Sequence, residues 1–328
     1  MKTKKIILII TLVAIIIALG IFFFVVDMQQ QKNSKDKIQV VVSNFASYDF
    51  VRAIIGETEN IELTFLVGAG KNTHSYDPTA QDLITIQEAD LFVYVGGEVE
   101  SWATRVIETL DTSNVKVLCI SDNIDKIQEQ VIDGAEHVHD AEEHHEEEGK
   151  GAFDEHIWTS PENAIKMINT LEKEIEILDS ENAESYKKNA EEYISKIQNV
   201  DKQIQEIVDN RVRDRLVFGD KMPMQYFINY YGLEVSAAFT GCSTETEPSA
   251  HTISHLVNIV KKEGIPVVLY IEMGNEAVAN TIVEDVGGDC RVMQIQTLHN
   301  VSKTDFDNGE TWVSLMERNI DVLRNALQ

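Results

Sequence analysis

Short β-branched runs alternate with helix-patterned stretches along most of this chain, and that alternation leaves few folds open to it. Ile38–Val42, Ile61–Val67, Leu91–Val95 and Val115–Ile120 have the length and composition of strands. Between them, Phe45–Ile55, Thr79–Glu88 and Val99–Leu110 carry apolar residues at helical spacing, and Gly56 stops the first of these. The pattern resumes later with strands Leu216–Gly219, Glu234–Phe239, Val267–Ile271 and Val292–Ile295. These alternate with helices Met224–Tyr231, Pro248–Glu263, Glu276–Val286 and Glu310–Leu327. A strand followed by a helix followed by a strand pairs in parallel, because the chain must cross back over the sheet.

The alternation is interrupted once, in the middle, by two long helical stretches. The first begins at Ser160, a suitable N-cap, with Pro161 at the first helical position. The second spans about 181–210. In it Tyr186, Ala190, Tyr193, Ile197, Val200, Ile204 and Ile207 recur at spacings of four and three, one apolar stripe down one face. The fold class predicted is α/β. Two parallel-sheet lobes, 38–180 and 211–328, are joined by a bridging helix over 181–210.

Residues 1–37 stand apart. Lys2, Lys4 and Lys5 precede an uncharged run from Ile6 to Val26. As a helix its roughly 21 residues reach about 31 Å, enough to cross a bilayer. The basic flank places that end in the cytoplasm and the rest of the chain outside. An uncleaved membrane anchor is expected, with a cleaved signal as the alternative, followed by a polar tether to Lys37. The formal net charge of −27 repels phosphates, so nucleic acid is excluded as a partner. The cysteines, Cys119, Cys242 and Cys290, match no zinc-ligand spacing.

Four of the nine histidines, His137, His139, His144 and His145, fall in GAEHVHDAEEHHEEEG within an acidic loop over 133–150. Imidazole and carboxylate together suit borderline ions such as zinc, and so polar a stretch cannot bury a core. His74 in GKNTHSYDP and His299 in QTLHNVS each follow a strand, at the sheet edge where open α/β folds bind ligands. His156 in FDEHIWTSP lies just before a helix start. His251 and His255 lie four apart, but no HExxH glutamate separates them, and a solvated helix face accounts for them.

These fragments together resemble the metal-binding subunits of zinc and manganese ABC importers. His74-Ser75-Tyr76-Asp77-Pro78 matches the family's first ligand motif. Asp154, His156 and Trp158, followed by Ser160-Pro161-Glu162-Asn163, match its second. TETEPSA over Thr244–Ala250 and the strand end Tyr270–Glu272 fit as well. The resemblance covers Ile38 to Gln328, and the histidine-rich loop points to the zinc branch. It implies a monomeric extracytoplasmic receptor, not an enzyme. Such a receptor holds Zn2+, or less suitably Mn2+, in the cleft between its lobes and delivers it to a permease and its ATPase. The implied ligands are His74, His156, His299 and Asp220, with Glu245 in reserve, and the loop histidines form an auxiliary low-affinity site. Two departures stand out. Gly219 occupies the place of the family's usual third ligand, which makes Asp220 the nearest candidate. No cysteine near the N-terminal run can carry a lipid. A surface metal buffer or adhesin and, last, an extracellular zinc hydrolase are the alternatives.

Overall fold

The computed structural model describes residues 37–111, 113–130, 153–239 and 247–328. The first half folds into strands β1 (Ile38–Val42), β2 (Ile61–Phe65), β3 (Leu91–Tyr94) and β4 (Lys116–Cys119), with helices α1 (Phe45–Ile55), α2 (Ala80–Gln87) and α3 (Ser101–Thr109) between them. Every pairing is parallel and the sheet runs β2-β1-β3-β4. Helices α4 (Pro161–Leu178) and α5 (Ala183–Asp209) follow. The second half comprises β5 (Arg215–Phe218), α6 (Gln225–Tyr231), β6 (Glu234–Ala237), α7 (Ala250–Glu263), β7 (Val267–Ile271), α8 (Ala277–Val286) and β8 (Arg291–Ile295). A short α9 (Lys303–Asp307) and the final α10 (Trp312–Leu327) complete it. Its sheet, β6-β5-β7-β8, is again all parallel and has the strand order of the first.

Local chemistry sets the helix ends. Asn44 accepts a 2.7 Å hydrogen bond from the Ser47 N–H and so starts α1. Thr79 and Asp82 form a reciprocal capping box on α2. The long bridging helix begins at Ala183, because Ser180–Asn182 is a separate 3-10 turn. The last helix begins at Trp312 instead of Glu310, because Thr311 is its cap, and the expected pattern did not include α9.

Strand residues alternate between two environments. Val40 and Val42 of β1, with Leu216 and Phe218 of β5, face a central core; Val41 and Val217 face smaller outer clusters. The central core does not stop at the boundary between lobes. It includes Phe50, Ile54 and Leu91 of the first half, Phe227, Leu269 and Trp312 of the second, and the whole buried stripe of α5. That stripe consists of the residues whose spacing marked it, Tyr186, Ala190, Tyr193, Ile197, Val200, Ile204 and Ile207, plus Val208. Helix α5 packs on α1, α4 and α10, so it belongs to both halves.

Asp49 of α1 sits at this junction. Its carboxylate accepts the Tyr193 hydroxyl of α5 and the Trp312 N–H that opens α10, the latter at 2.7 Å. Arg52 pairs with it at 2.5 Å and donates to the Glu310 carbonyl at 2.8 Å. Among the described residues no helix is long and apolar enough to cross a membrane. The apolar run expected as an anchor lies outside them.

Candidate metal centre

In a parallel sheet all strands end on one edge, and ligands gather where the chain leaves neighbouring strands in opposite directions. His74 lies on a 3-10 turn, Thr73–Ser75, in the connection after β2. His156 caps the turn Ile157–Thr159 between β4 and α4. His299 follows β8. One nitrogen from each ring lies within 4.8 Å of the others, the only such grouping of three or more metal-ligating side chains among the described residues. His74 stacks on His299 with ring centroids 4.5 Å apart, and the His156 and His299 centroids are 4.8 Å apart. Nitrogens about 2.0–2.1 Å from a tetrahedral zinc lie ~3.3 Å from each other, so shifts of about an ångström would close the group on an ion.

Two of the three rings are held from behind. Asp154 Oδ1 accepts both the backbone N–H of His156, at 2.7 Å, and its Nδ1–H, at 3.0 Å. A carboxylate only accepts, so His156 Nδ1 carries a hydrogen, and in the neutral ring Nε2 is left as the acceptor facing the cluster. It accepts from His299 Nδ1–H at 2.9 Å, which leaves His299 Nε2 to accept the Thr73 hydroxyl at 2.6 Å. The His74 backbone N–H is fixed by Asn72 Oδ1 at 3.0 Å, while its buried Nε2 has no hydrogen-bond partner. An unsatisfied imidazole nitrogen beside two others is a donor set for a cation.

The loop bearing His299 is gathered by a buried carboxylate. Glu272, just past the end of β7, accepts the Thr297 N–H at 2.7 Å, the Thr297 hydroxyl at 2.7 Å and the Asn300 N–H at 3.2 Å. The His299 N–H in turn donates to the Thr297 hydroxyl oxygen at 3.3 Å. Leu298 adopts φ +56°, the left-handed region that a leucine rarely occupies. The two ligand loops are also joined directly. The Trp158 indole N–H donates to the Thr297 carbonyl at 3.0 Å, and the Trp312 indole N–H to the Trp158 carbonyl at 2.9 Å.

Burial controls charge here. It pushes the His74 imidazole down to about 3, helped by repulsion from His156 and Lys221. Burial, His156, His74 and Lys221 likewise hold His299 well below the ordinary histidine value. Both rings are therefore neutral at physiological pH, the form that binds a metal. Burial raises Glu155 and Glu272 to about 7. The Glu155 carboxylate receives the Val99 N–H and tucks against Gly97, where any side chain would collide with it at 2.2 Å.

Asp220 lines the same cavity as His74 and His299 but stays outside the three-histidine group. One of its oxygens accepts the Lys221 N–H at 2.8 Å and the other the Ile271 N–H at 3.2 Å. The adjacent Gly219 is explained by packing. A Cβ there would lie 2.5 Å from the Cα of Ala279 in α8, so no ligand-bearing side chain could stand at that position. Glu245 and the loop residues His137, His139, His144 and His145 lie outside the described residues. The bases of that loop do not: Gln128 and Phe153 pair as an isolated antiparallel bridge. His251 and His255 lie on α7, away from the group. Sequence reasoning gave Asp154 no separate role and missed Thr73, Glu272 and Thr297 as supports. The local signals were Thr73 directly before His74, Thr297 two residues before His299, and the strand end Tyr270–Glu272.

Two parallel α/β lobes on a shared helical spine, with imidazoles from both lobes meeting in the cleft, make this a two-lobed solute-binding protein. Its lineage is equally clear. The chain belongs to the family described as zinc-uptake complex component A, periplasmic (ZnuA), whose profile matches residues 40–326. It is similar to the zinc-binding lipoprotein AdcA of Streptococcus pneumoniae, 31% identical over 303 residues, and spans 92% of its own length but 58% of that protein. It is similar to the high-affinity zinc uptake system protein ZnuA of Bacillus subtilis, 29% identical over 292 residues, 89% of this chain and 88% of that one. Among solved structures, the Zn(II)-bound ZnuA-like domain of Streptococcus pneumoniae AdcA matches with a TM-score of 0.69 at 29% identity, covering 89% of this chain and 99% of that domain.

Proposed function

We propose that this chain is an extracytoplasmic receptor that captures Zn2+ between its lobes and hands it to the permease of an ABC importer. The observation that carries this reading is the convergence of His74, His156 and His299 on one point, with the His74 Nε2 buried and unpaired. Three imidazole ligands favour zinc over manganese, which prefers oxygen ligands. A receptor, not an enzyme, fits a three-histidine site in a chain whose relatives carry zinc-uptake and zinc-binding names.

Capture on this reading replaces hydrogen bonds with metal bonds. The ion takes His156 Nε2 and His299 Nδ1, which now bond to each other, together with His74. The His299 proton then resides on Nε2 and donates to the Thr73 hydroxyl, so the same partners serve both states. Asp154 keeps His156 in the ligating tautomer throughout. Asp220 is assigned as a brace for the loop after β5, because both its oxygens are committed to backbone N–H groups. Glu245 remains the reserve carboxylate for a fourth position. The acidic histidine-rich loop is assigned as a low-affinity collector, and the N-terminal apolar run as the membrane anchor.

Native metal analysis of the full chain, alongside His74→Ala, His156→Ala and His299→Ala, tests the ligand set. One zinc per chain is expected, lost in each variant. Stoichiometric zinc in all three variants, with loss only on deletion of the 133–150 loop, would move the site to the loop.

A further inference from the structure

We propose that Glu272 is the positioning residue for His299, fixing the ligand loop of the second lobe without touching the ion. The proposal rests on the three-histidine ligand set given above. Glu272 is 5% exposed and its carboxylate faces three donors from one short segment, Thr297 N–H, Thr297 O–H and Asn300 N–H. A buried carboxylate is costly compared with an apolar residue of the same size, so packing alone gives no reason for one here. What it does is hold 297–300 in a turn that includes a leucine at φ +56°. That turn presents the His299 ring to His156 at 2.9 Å and to Thr73 at 2.6 Å. It also offers the Thr297 carbonyl to Trp158 and the Asn300 side chain to the Thr73 N–H, so these two further contacts of the segment with the first lobe depend on it.

The chemistry predicts which substitutions matter. A glutamine at 272 has one acceptor oxygen and one NH2 group for three donors. Keeping its oxygen on Thr297 O–H and Asn300 N–H turns its NH2 against the Thr297 N–H, and the segment must open. Thr297→Val removes the hydroxyl relay from the His299 N–H while keeping the size of the residue; Thr297→Ser restores it.

The experiment uses the full chain. It measures zinc affinity by competition with a chromophoric chelator, the Co2+ absorption spectrum, and the melting of the metal-free chain. Glu272→Gln and Thr297→Val are expected to weaken zinc binding about 10- to 100-fold and to shift the Co2+ bands, as loss of an outer partner does. Thr297→Ser should behave as the parent. Wild-type affinity and Co2+ spectrum in both variants, while His74→Ala has lost zinc, overturns the proposal and leaves the ligand set standing. Weaker binding with an unchanged Co2+ spectrum, matched by an equal loss of metal-free stability, also overturns it, since Glu272 would then be ordinary scaffold. Zinc retained at full affinity in His74→Ala removes the ligand set and this proposal with it.

Discussion

Replacing Asp49 by alanine removes a side chain of α1 that accepts hydrogen bonds from both α5 and α10. The carboxylate accepts the Tyr193 hydroxyl and the Trp312 N–H and pairs with Arg52, and it is almost fully buried. Alanine leaves the hydroxyl and the N–H buried without acceptors, at about 1–3 kcal/mol each. Arg52 recovers most of its loss, being 30% exposed and free to turn to water. The expected cost is therefore about 3–5 kcal/mol, the range for breaking a buried charged network by removing one partner. Asp49→Asn should cost less, about 1.5–3 kcal/mol, because its oxygen can keep the Tyr193 and Trp312 bonds while the arginine swings away. Tyr193→Phe removes a donor to the same carboxylate, so its effect and that of Asp49→Asn should fall short of additive in the double variant. Urea unfolding of the metal-free chain provides the assay, with a lower midpoint and an unchanged slope expected. A loss under about 0.5 kcal/mol for Asp49→Ala would show that the junction bears no load, because effects that small are typical of unremarkable surface sites.

Three further outcomes are expected. His74 and His299 titrate below the unfolded value of 6.5, so unfolding takes up protons as pH falls beneath it and the metal-free chain loses stability there, but not above. His74→Asn should lower that slope by up to about 1.4 kcal/mol per pH unit, and an unchanged slope in chelator-treated protein would contradict the assigned burial. Gly219→Ala presses a methyl against the α8 backbone at 2.5 Å and should destabilise by about 1–3 kcal/mol, read as a lower melting temperature; an unaltered melt would refute the close approach. Asp220→Asn can satisfy only one of two backbone donors, so it should cost about 1–3 kcal/mol of stability. Its zinc affinity should stay within about threefold of the parent, and a hundredfold loss would restore Asp220 as a ligand.

Much of the fold was legible because periodicity is local. The spacing of Tyr186, Tyr193, Ile197 and Ile204 identified the buried face of α5 from sequence, and the stripe proves continuous. The short α9 escaped notice because its signal is a single cap, Ser302 to the Asp305 N–H. His74 and His299 were visible as residues after strand ends, and His156 as one just before a helix start. Their supports were not, because Thr73 meets His299 across 226 positions and Glu272 meets Thr297 across 25. Gly219 reads only as a missing ligand in the sequence. The approach of α8 that forbids a side chain there is a tertiary fact.

The apolar core runs without a break from β1 through α5 to α10. Opening the cleft by swinging the halves apart would tear that core, so on the proposed receptor reading an ion would be admitted or surrendered by rearranging the rim loops. Loaded and empty chains then share one silhouette. A membrane partner that must accept one and reject the other has to sense surface detail around the mouth of the site, not the angle between the lobes.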